Sequence, residues 1–119
     1  MDLKEVMKQQ SFVVVGDTTN PEKYAYKIKH QLIAKGYDVQ AVGRELSSIN
    51  LVNGNIDIID LCIHPSKGIQ LLRELKKPCK CVVIQPGAES DEIKEYLEHE
   101  KIAYLEGCLL VGLRLYAKQ

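Results

Sequence analysis

Polar and small residues follow an apolar run near the start of the sequence, and their types are suited to binding an anion. The run ends at Gly16 and is followed by Asp17, Thr18 and Thr19, before the chain reaches Pro21. Glycine lets a backbone approach a ligand closely, threonine hydroxyls can donate hydrogen bonds, and the start of a following helix presents free N–H groups. This loop therefore predicts a phosphate or pyrophosphate site.

The same loop differs from the fingerprint of dinucleotide-binding proteins. That fingerprint has the form Gly-x-Gly-x-x-Gly, and here only its first glycine, Gly16, is present. Asp17 also argues against a dinucleotide. A standard NAD site is therefore not indicated, and a purely structural turn is the simplest competing interpretation.

Later apolar runs end in similar loops that contain glycine, proline and polar side chains. In a parallel sheet all of these loops would lie along one edge. The further candidate residues in them are Gly43, Arg44, His64, Pro65, Gln85, Gly87 and Cys108.

Catalytic and metal-binding interpretations of these residues are weaker. His64 could act as a general acid or base near neutral pH, although a loop histidine is the more common case. Cys79 and Cys81 could join Cys62 and His64 around a metal, but alternation along a strand and the lack of a second cysteine pair argue against zinc. We expect the Cys-x-Cys pair to be small buried hydrophobic residues.

Two candidates beside the main loops have both a functional and a structural interpretation. A thiolate of Cys108 could exchange with a ligand thiol, yet no adjacent His or Arg in the sequence lowers its pKa. Lys27 lies one turn into the first long helix and could reach the anion, whereas Lys23 and Lys29 favour a solvated helix face.

The elements that must position these residues alternate along the chain. Amphipathic segments at 2–9 and 21–35, and others that begin at Ser66 and Ser90, separate the apolar runs. Such alternation predicts an α/β fold: a Rossmann-like, three-layer open sheet of about five parallel strands with helices on both faces. The predicted strands are residues 11–16, 38–42, 56–63, 81–85 and 102–105.

Composition limits the class of protein. The 119 residues are enough for a single domain spanning 1–119, and the 16 basic and 16 acidic residues cancel, which does not favour a nucleic-acid partner. The first residues have no apolar core of signal-peptide length, and no later run is long enough to span a membrane. With free thiols expected for its four cysteines, we expect a cytoplasmic protein.

The ordered set of motifs resembles a known family, the small bacterial CoA-binding proteins, which are related to the CoA-binding domain of succinyl-CoA ligase alpha subunits. The resemblance covers about residues 12 to 110. It is carried by the first glycine loop with Pro21, "LIAKGYDVQAV", "IDIIDLCI", "VVIQPG" and Cys108. The chain departs from the family at Gly43-Arg44, where Asn-Pro is usual, and at Leu109, where proline usually follows the late cysteine.

The resemblance implies non-catalytic binding of CoA or an acyl-CoA by a Rossmann-like domain. Position by position, it implies that Gly16, Thr18 and Thr19 approach the pyrophosphate and that the 43–45 loop lies near the adenosine ribose. Pantetheine would then run past His64, Pro65 and Gln85 to Gly87. Of the Tyr24 and Tyr26 rings, one should pack inward and the other could stack on adenine.

Two further hypotheses come from other functional classes. An NADP-linked oxidoreductase or redox sensor would need a catalytic acid such as His64 or Tyr26 together with a nicotinamide pocket. A ligand-free interaction module would use the apolar segment 108–116, "CLLVGLRLY", as a homodimer interface. An enzyme is not favoured, because the sequence shows no set of nucleophile, base and orienting group.

Overall fold

A computed structural model, which describes residues 1–117, contains one five-stranded sheet in the order β2-β1-β3-β4-β5. All of the strand pairs are parallel. The α/β, Rossmann-like open sheet expected from the sequence is thus confirmed. The strands are β1 (Ser11–Gly16), β2 (Asp38–Gly43), β3 (Ile58–Cys62), β4 (Cys81–Ile84) and β5 (Tyr104–Glu106).

Helices cover both faces of the sheet, so the strands need apolar residues on both sides. Along β1, Val13 and Val15 face one buried cluster, which includes residues of α3 and α4, while Phe12 and Val14 face the other, which includes residues of α1, α2 and α5. The helices are α1 (Leu3–Val6), α2 (Tyr24–Ala34), α3 (Pro65–Glu74), α4 (Asp91–His99) and α5 (Leu109–Tyr116), and a 3₁₀ turn spans Ile49–Leu51.

Two predicted helix starts are wrong, and local hydrogen bonds explain both. The Asn20 side chain accepts from the Glu22 N–H in a turn, so α2 begins only after that turn. At α3 the capping residue is His64 and not Ser66, because the imidazole Nδ1 accepts a hydrogen bond from the Ser66 N–H. The start predicted at Ser90 is confirmed: its hydroxyl accepts from the Ile93 N–H at 3.1 Å.

The remaining boundaries shift by a few residues. The leading helix, predicted at 2–9, covers only Leu3–Val6. The strand predicted at 56–63 is shorter, and the one predicted at 102–105 begins later, at Tyr104. The ends of a strand depend on its pairing with neighbouring strands, and this pairing cannot be predicted from local composition.

Helix α5 was not predicted, since its sequence had been interpreted only as an apolar surface. Leu109, Gly112 and Leu113 are buried, and α5 packs on α1 and α2. Part of the apolar character that prompted the homodimer hypothesis is thus used within the chain, while Leu115 and Tyr116 stay exposed. Within the described residues, no helix is long and apolar enough to cross a membrane.

Candidate functional site

The carboxyl ends of β1 and β3 form the point at which the chain changes direction across the sheet. Helix α2 leads from β1 to β2 on one side, and the chain then crosses back to β3 on the other side of β1. Gly16 at the end of β1 lies level with Gly43 on β2 and Cys62 on β3. Ligands of open parallel sheets bind at such a reversal, so the loops after these three strands form the candidate site.

Two clefts open at this edge and meet. Cleft A, of about 630 Å³, lies between the turn after β2 and helix α3, and Arg44 and Lys67 are among its lining residues. Cleft B, of about 320 Å³, lies between the start of α2 and the loop after β4. Asp17, Ile63 and His64 line both clefts, so the clefts adjoin at these residues, and we call the two together the groove.

The structure brings most of the predicted site residues to this groove. Gly16, Gly43, Arg44 and His64 line cleft A, and His64, Gln85 and Gly87 line cleft B. Pro65 is the first residue of α3, directly after His64 in the chain, and it lines neither cleft. Thr18, Thr19, Lys27 and Cys108 are not among the residues that line either cleft.

Gly16 has a packing role that sequence reasoning missed. A Cβ atom at this position would lie 2.4 Å from the Cys62 carbonyl oxygen and 3.0 Å from the Ala25 Cβ. A Cβ at Gly43 would likewise lie 2.8 Å from the Gly16 carbonyl oxygen. These glycines therefore allow three strand ends to converge, which is a requirement of the fold before any ligand is considered.

The two threonines of the first loop donate their hydroxyl protons to carboxylates of the protein. Thr18, only 3% exposed, donates to Glu45 Oε2 at 2.5 Å, and Thr19 donates to Asp17 Oδ1 at 2.7 Å. Both hydroxyl protons are thus engaged within the protein, and the approach of these threonines to a pyrophosphate stays a prediction. Their role here is to fix the loop, because each bond joins side chains across a turn or between loops.

Charges of both signs line cleft A. The hydrogen bonds from Thr19, with a smaller contribution from the Arg44 charge, lower the pKa of Asp17, so its carboxylate is ionised at neutral pH. Arg44 Nε lies 3.9 Å from Asp17 Oδ2, and 69% of the arginine side chain is exposed. A long, solvated pair of this kind is weak, so the Arg44 guanidinium is free to engage an anionic ligand.

His64 is held in one orientation at the junction of the two clefts. Its Nδ1 atom lies 3.2 Å from the Ser66 backbone nitrogen, whose N–H it accepts, and 2.8 Å from the Ser66 hydroxyl oxygen. Accepting that N–H requires the Nδ1 lone pair, which places the proton of the neutral ring on Nε2. His64 therefore presents an N–H donor to the groove.

Gln85 links the end of β4 to the start of α5 from a buried position. Its Oε1 accepts from the Leu109 N–H at 2.7 Å, and its Nε2 lies 3.4 Å from Cys108 Sγ. Cys108 directly precedes α5, and its side chain makes no capping hydrogen bond. The cysteine that lines the groove is Cys62. Burial, with nearby Asp60 and Cys108, raises the pKa of Cys62 to about 12, which keeps that thiol protonated at neutral pH.

Tyr24, which was considered above together with Tyr26, contributes an aromatic side chain to the lining of cleft B. Tyr24 is exposed at the start of α2, and the Lys27 ammonium lies 5.6 Å from the centre of its ring. Tyr26 is half-buried and its ring centre lies 4.1 Å from that of His30. Tyr26 is therefore the more buried of the two rings, and Lys27 lies beside the Tyr24 ring without lining either cleft.

Asp17, Cys62, Ile63 and Lys67 are groove residues that sequence reasoning did not select. Each lies at the end of a strand, directly after it, or in the first turn of α3, so a position at the end of an apolar run was an available signal. Among residues 1–117, no three His, Cys, Asp or Glu side chains converge as a metal-binding group.

These features define a Rossmann-like α/β domain with a candidate ligand groove at the carboxyl edge of its sheet. The sequence profile of the CoA binding domain family matches residues 10–114, and the chain therefore belongs to that family. Membership supports CoA binding in general. No curated protein matches the sequence.

Solved structures of similar proteins share the fold. A conserved hypothetical protein from Pyrococcus furiosus is 30% identical, with a TM-score of 0.79 over 87% of this chain and 98% of its own. Cell-free ID.343 from Thermus thermophilus is 22% identical, with a TM-score of 0.84 over 96% and 98% of the two chains. A hypothetical protein from Pyrococcus horikoshii OT3 is 20% identical, with a TM-score of 0.84 over 96% and 89%.

Proposed function

We propose that this protein binds CoA or an acyl-CoA in the groove without transforming it. The observation that carries the proposal is that clefts A and B adjoin at His64, in a chain of the CoA binding domain family. CoA has a bulky, phosphorylated nucleotide and a long, narrow pantetheine arm. A larger cleft that bears cationic side chains and adjoins a smaller one matches both parts.

In the proposed arrangement the nucleotide lies in cleft A, with its ribose near the turn after β2. Arg44 and Lys67 supply positive charge there, and the Nε2–H of His64 donates to the pyrophosphate where the clefts meet. Pantetheine then follows cleft B past the Tyr24 ring to Gly87. The thiol end would lie near Cys62.

His64 and Ser66 are the two side chains that most resemble a catalytic pair, and their geometry supports binding without reaction. His64 Nδ1 and the Ser66 hydroxyl oxygen are 2.8 Å apart, as in a base and nucleophile. However, Ser66 lines neither cleft, and the same imidazole nitrogen accepts the backbone N–H that caps α3. The pair therefore serves the helix start.

We expect CoA to raise the melting temperature more than NAD does. A ligand that binds only the native state at about 100 times its Kd stabilises a protein by about 2.7 kcal/mol, which corresponds to a shift of several degrees in a domain of this size. Differential scanning fluorimetry at matched millimolar concentrations measures the difference. Equal shifts, or no shift with CoA, would contradict CoA binding, and a larger shift with NADP would favour the oxidoreductase hypothesis.

We expect Arg44→Ala to remove a preference for the 3′-phosphate of CoA. A charge-assisted contact that is partly desolvated contributes about 1.5–3 kcal/mol, so wild type should prefer CoA over 3′-dephospho-CoA by about 10- to 100-fold. Isothermal titration calorimetry should show that the variant loses most of this preference while its affinity for dephospho-CoA stays nearly constant.

Arg114→Ala is a matched control, because Arg114 is an exposed arginine on α5 that lines neither cleft. It should leave both affinities unchanged. If Arg44→Ala weakens both ligands equally, or neither, the phosphate is not bound by Arg44.

A further inference from the structure

One carboxylate joins three elements beside the groove. Glu45, in the turn after β2, accepts hydrogen bonds from Lys29 Nζ at 2.8 and 2.7 Å and from the Thr18 hydroxyl at 2.5 Å. Lys29 belongs to α2, and Thr18 to the loop after β1. We call these three residues the Glu45 cluster.

The Glu45 cluster is more shielded from solvent than an ordinary surface ion pair. The Lys29 and Glu45 side chains are 19% and 38% exposed, whereas Arg73 and Glu92, which pair at 3.0 Å between α3 and α4, are 55% and 58% exposed. Hydrogen bonds from Lys29 and then Thr18 lower the pKa of Glu45 and keep it ionised at neutral pH. Shielding from solvent strengthens charge-assisted hydrogen bonds. The cluster therefore attaches the turn after β2 firmly to α2 and to the loop after β1.

The turn itself has a closed backbone. The Gly43 N–H donates to the Leu46 carbonyl at 2.7 Å, and the Leu46 N–H donates to the Ala41 carbonyl at 3.2 Å. Arg44 and Glu45 occupy the tip between these bonds. The Glu45 side chain is hydrogen-bonded to Lys29 and Thr18, whereas Arg44, the other charged residue of the tip, lines cleft A.

We propose that Glu45 is a positioning residue that holds Arg44 toward cleft A and thereby sets the selectivity of the groove for a ligand with a phosphoryl group on its ribose. This inference rests on the proposed function. Glu45 does not line either cleft, so its effect on the ligand passes through the placement of its neighbour.

Loss of the cluster should affect selectivity more than general affinity. The backbone bonds at Gly43 and Leu46 remain when the Glu45 carboxylate is removed, so the turn persists but its tip is no longer attached to α2. Arg44 then spreads over more orientations and contributes less to a phosphate contact. The contacts of the pyrophosphate and pantetheine, which do not involve the tip, are retained.

The test is isothermal titration calorimetry of the full chain with CoA and with 3′-dephospho-CoA. We expect Glu45→Ala to lower the CoA preference from about 10- to 100-fold to within about threefold, with little change for dephospho-CoA. Combining Glu45→Ala with Arg44→Ala should lower the preference no further than Arg44→Ala alone, since both changes remove one contact. Glu92→Gln removes a comparable carboxylate from the Arg73 pair and should leave both affinities unchanged.

Variants of Lys29 distinguish a positioning effect of the Glu45 cluster from a long-range effect of its charges. Glu45→Ala removes a negative charge near the groove and Lys29→Met removes a positive one, so long-range charge effects would move the CoA preference in opposite directions. Positioning predicts that both variants lower it, and that Lys29→Arg, which keeps the pair, retains it.

Three results would overturn the inference while leaving CoA binding intact: an unchanged preference in Glu45→Ala, equal weakening of both ligands, or opposite changes in Glu45→Ala and Lys29→Met. If wild type binds neither CoA nor dephospho-CoA, the proposed function and this inference both fail.

Discussion

Asp60→Asn is expected to make the protein more stable, and increasingly so as the pH rises. Asp60 lies in the middle of β3, level with Val14 and Val83, and is fully buried. Among the described residues, neither of its carboxylate oxygens has a hydrogen-bond partner. Burial without such compensation raises the pKa of Asp60 well above its ordinary value, because the charged form loses its hydration.

The sign of the pH dependence follows from this raised pKa. The folded state holds the Asp60 proton more tightly than the unfolded state, so its contribution is favourable below the unfolded pKa, near 3.8, and is progressively lost as the pH rises toward the folded pKa. The advantage of asparagine should therefore be small near pH 4 and grow above it, by up to about 1.4 kcal/mol per pH unit within that window.

Urea unfolding of wild type and Asp60→Asn between pH 4.5 and pH 8 measures this difference. Asp38→Asn, which changes an exposed aspartate at the first position of β2, should shift the free energy of unfolding by less than about 0.5 kcal/mol. A difference between wild type and Asp60→Asn that stays constant with pH would show that Asp60 has no raised pKa. Asp60→Val, which also removes the unpaired polar atoms and suits a strand flanked by valines, should stabilise the protein as well.

Gly16→Ala is expected to destabilise the fold strongly and not merely to weaken ligand binding. Its Cβ would lie 2.4 Å from a backbone oxygen of β3, and backbone atoms cannot move aside as a flexible side chain can. Overpacking in a filled interior costs about 1–3 kcal/mol and occasionally more. We expect the upper part of this range or loss of folding, measured by urea unfolding and circular dichroism. The same steric reason applies to Gly16→Val, so loss of binding in that variant would not by itself place Gly16 at the ligand.

Gly36→Ala measures the cost of backbone strain in the absence of steric overlap. The φ of Gly16 is 157°, close to extended backbone, whereas Gly36 has a φ of 88° and a Cβ there meets no atom within 4 Å. The cost of that change should be about 1 kcal/mol, the usual penalty for a side chain in this backbone region. If Gly16→Ala proves no more costly than Gly36→Ala, the close approach of β1 and β3 is not a constraint on the fold.

The amino-acid sequence was sufficient to predict the architecture and the edge of the sheet at which the groove lies. Strands such as Val13–Val15, apolar on both faces, belong in the centre of a parallel sheet, and the alternation with amphipathic segments supplies the crossovers. Because every parallel strand ends at the same edge, Gly16, Gly43, His64 and Gln85 had to come together there. These inferences need only local periodicity and the direction of the chain.

The hydrogen-bond partners of the site residues, in contrast, could be identified only from the folded chain. Thr18 meets Glu45 across 27 positions of sequence, and Gln85 meets Leu109 across 24. Such partners depend on strand order and register, which leave no periodic signal in the chain. The sequence likewise predicted that Asp60 lies on a strand. That its carboxylate has no hydrogen-bond partner among the described residues became visible only in the folded chain, where both faces of the sheet are covered.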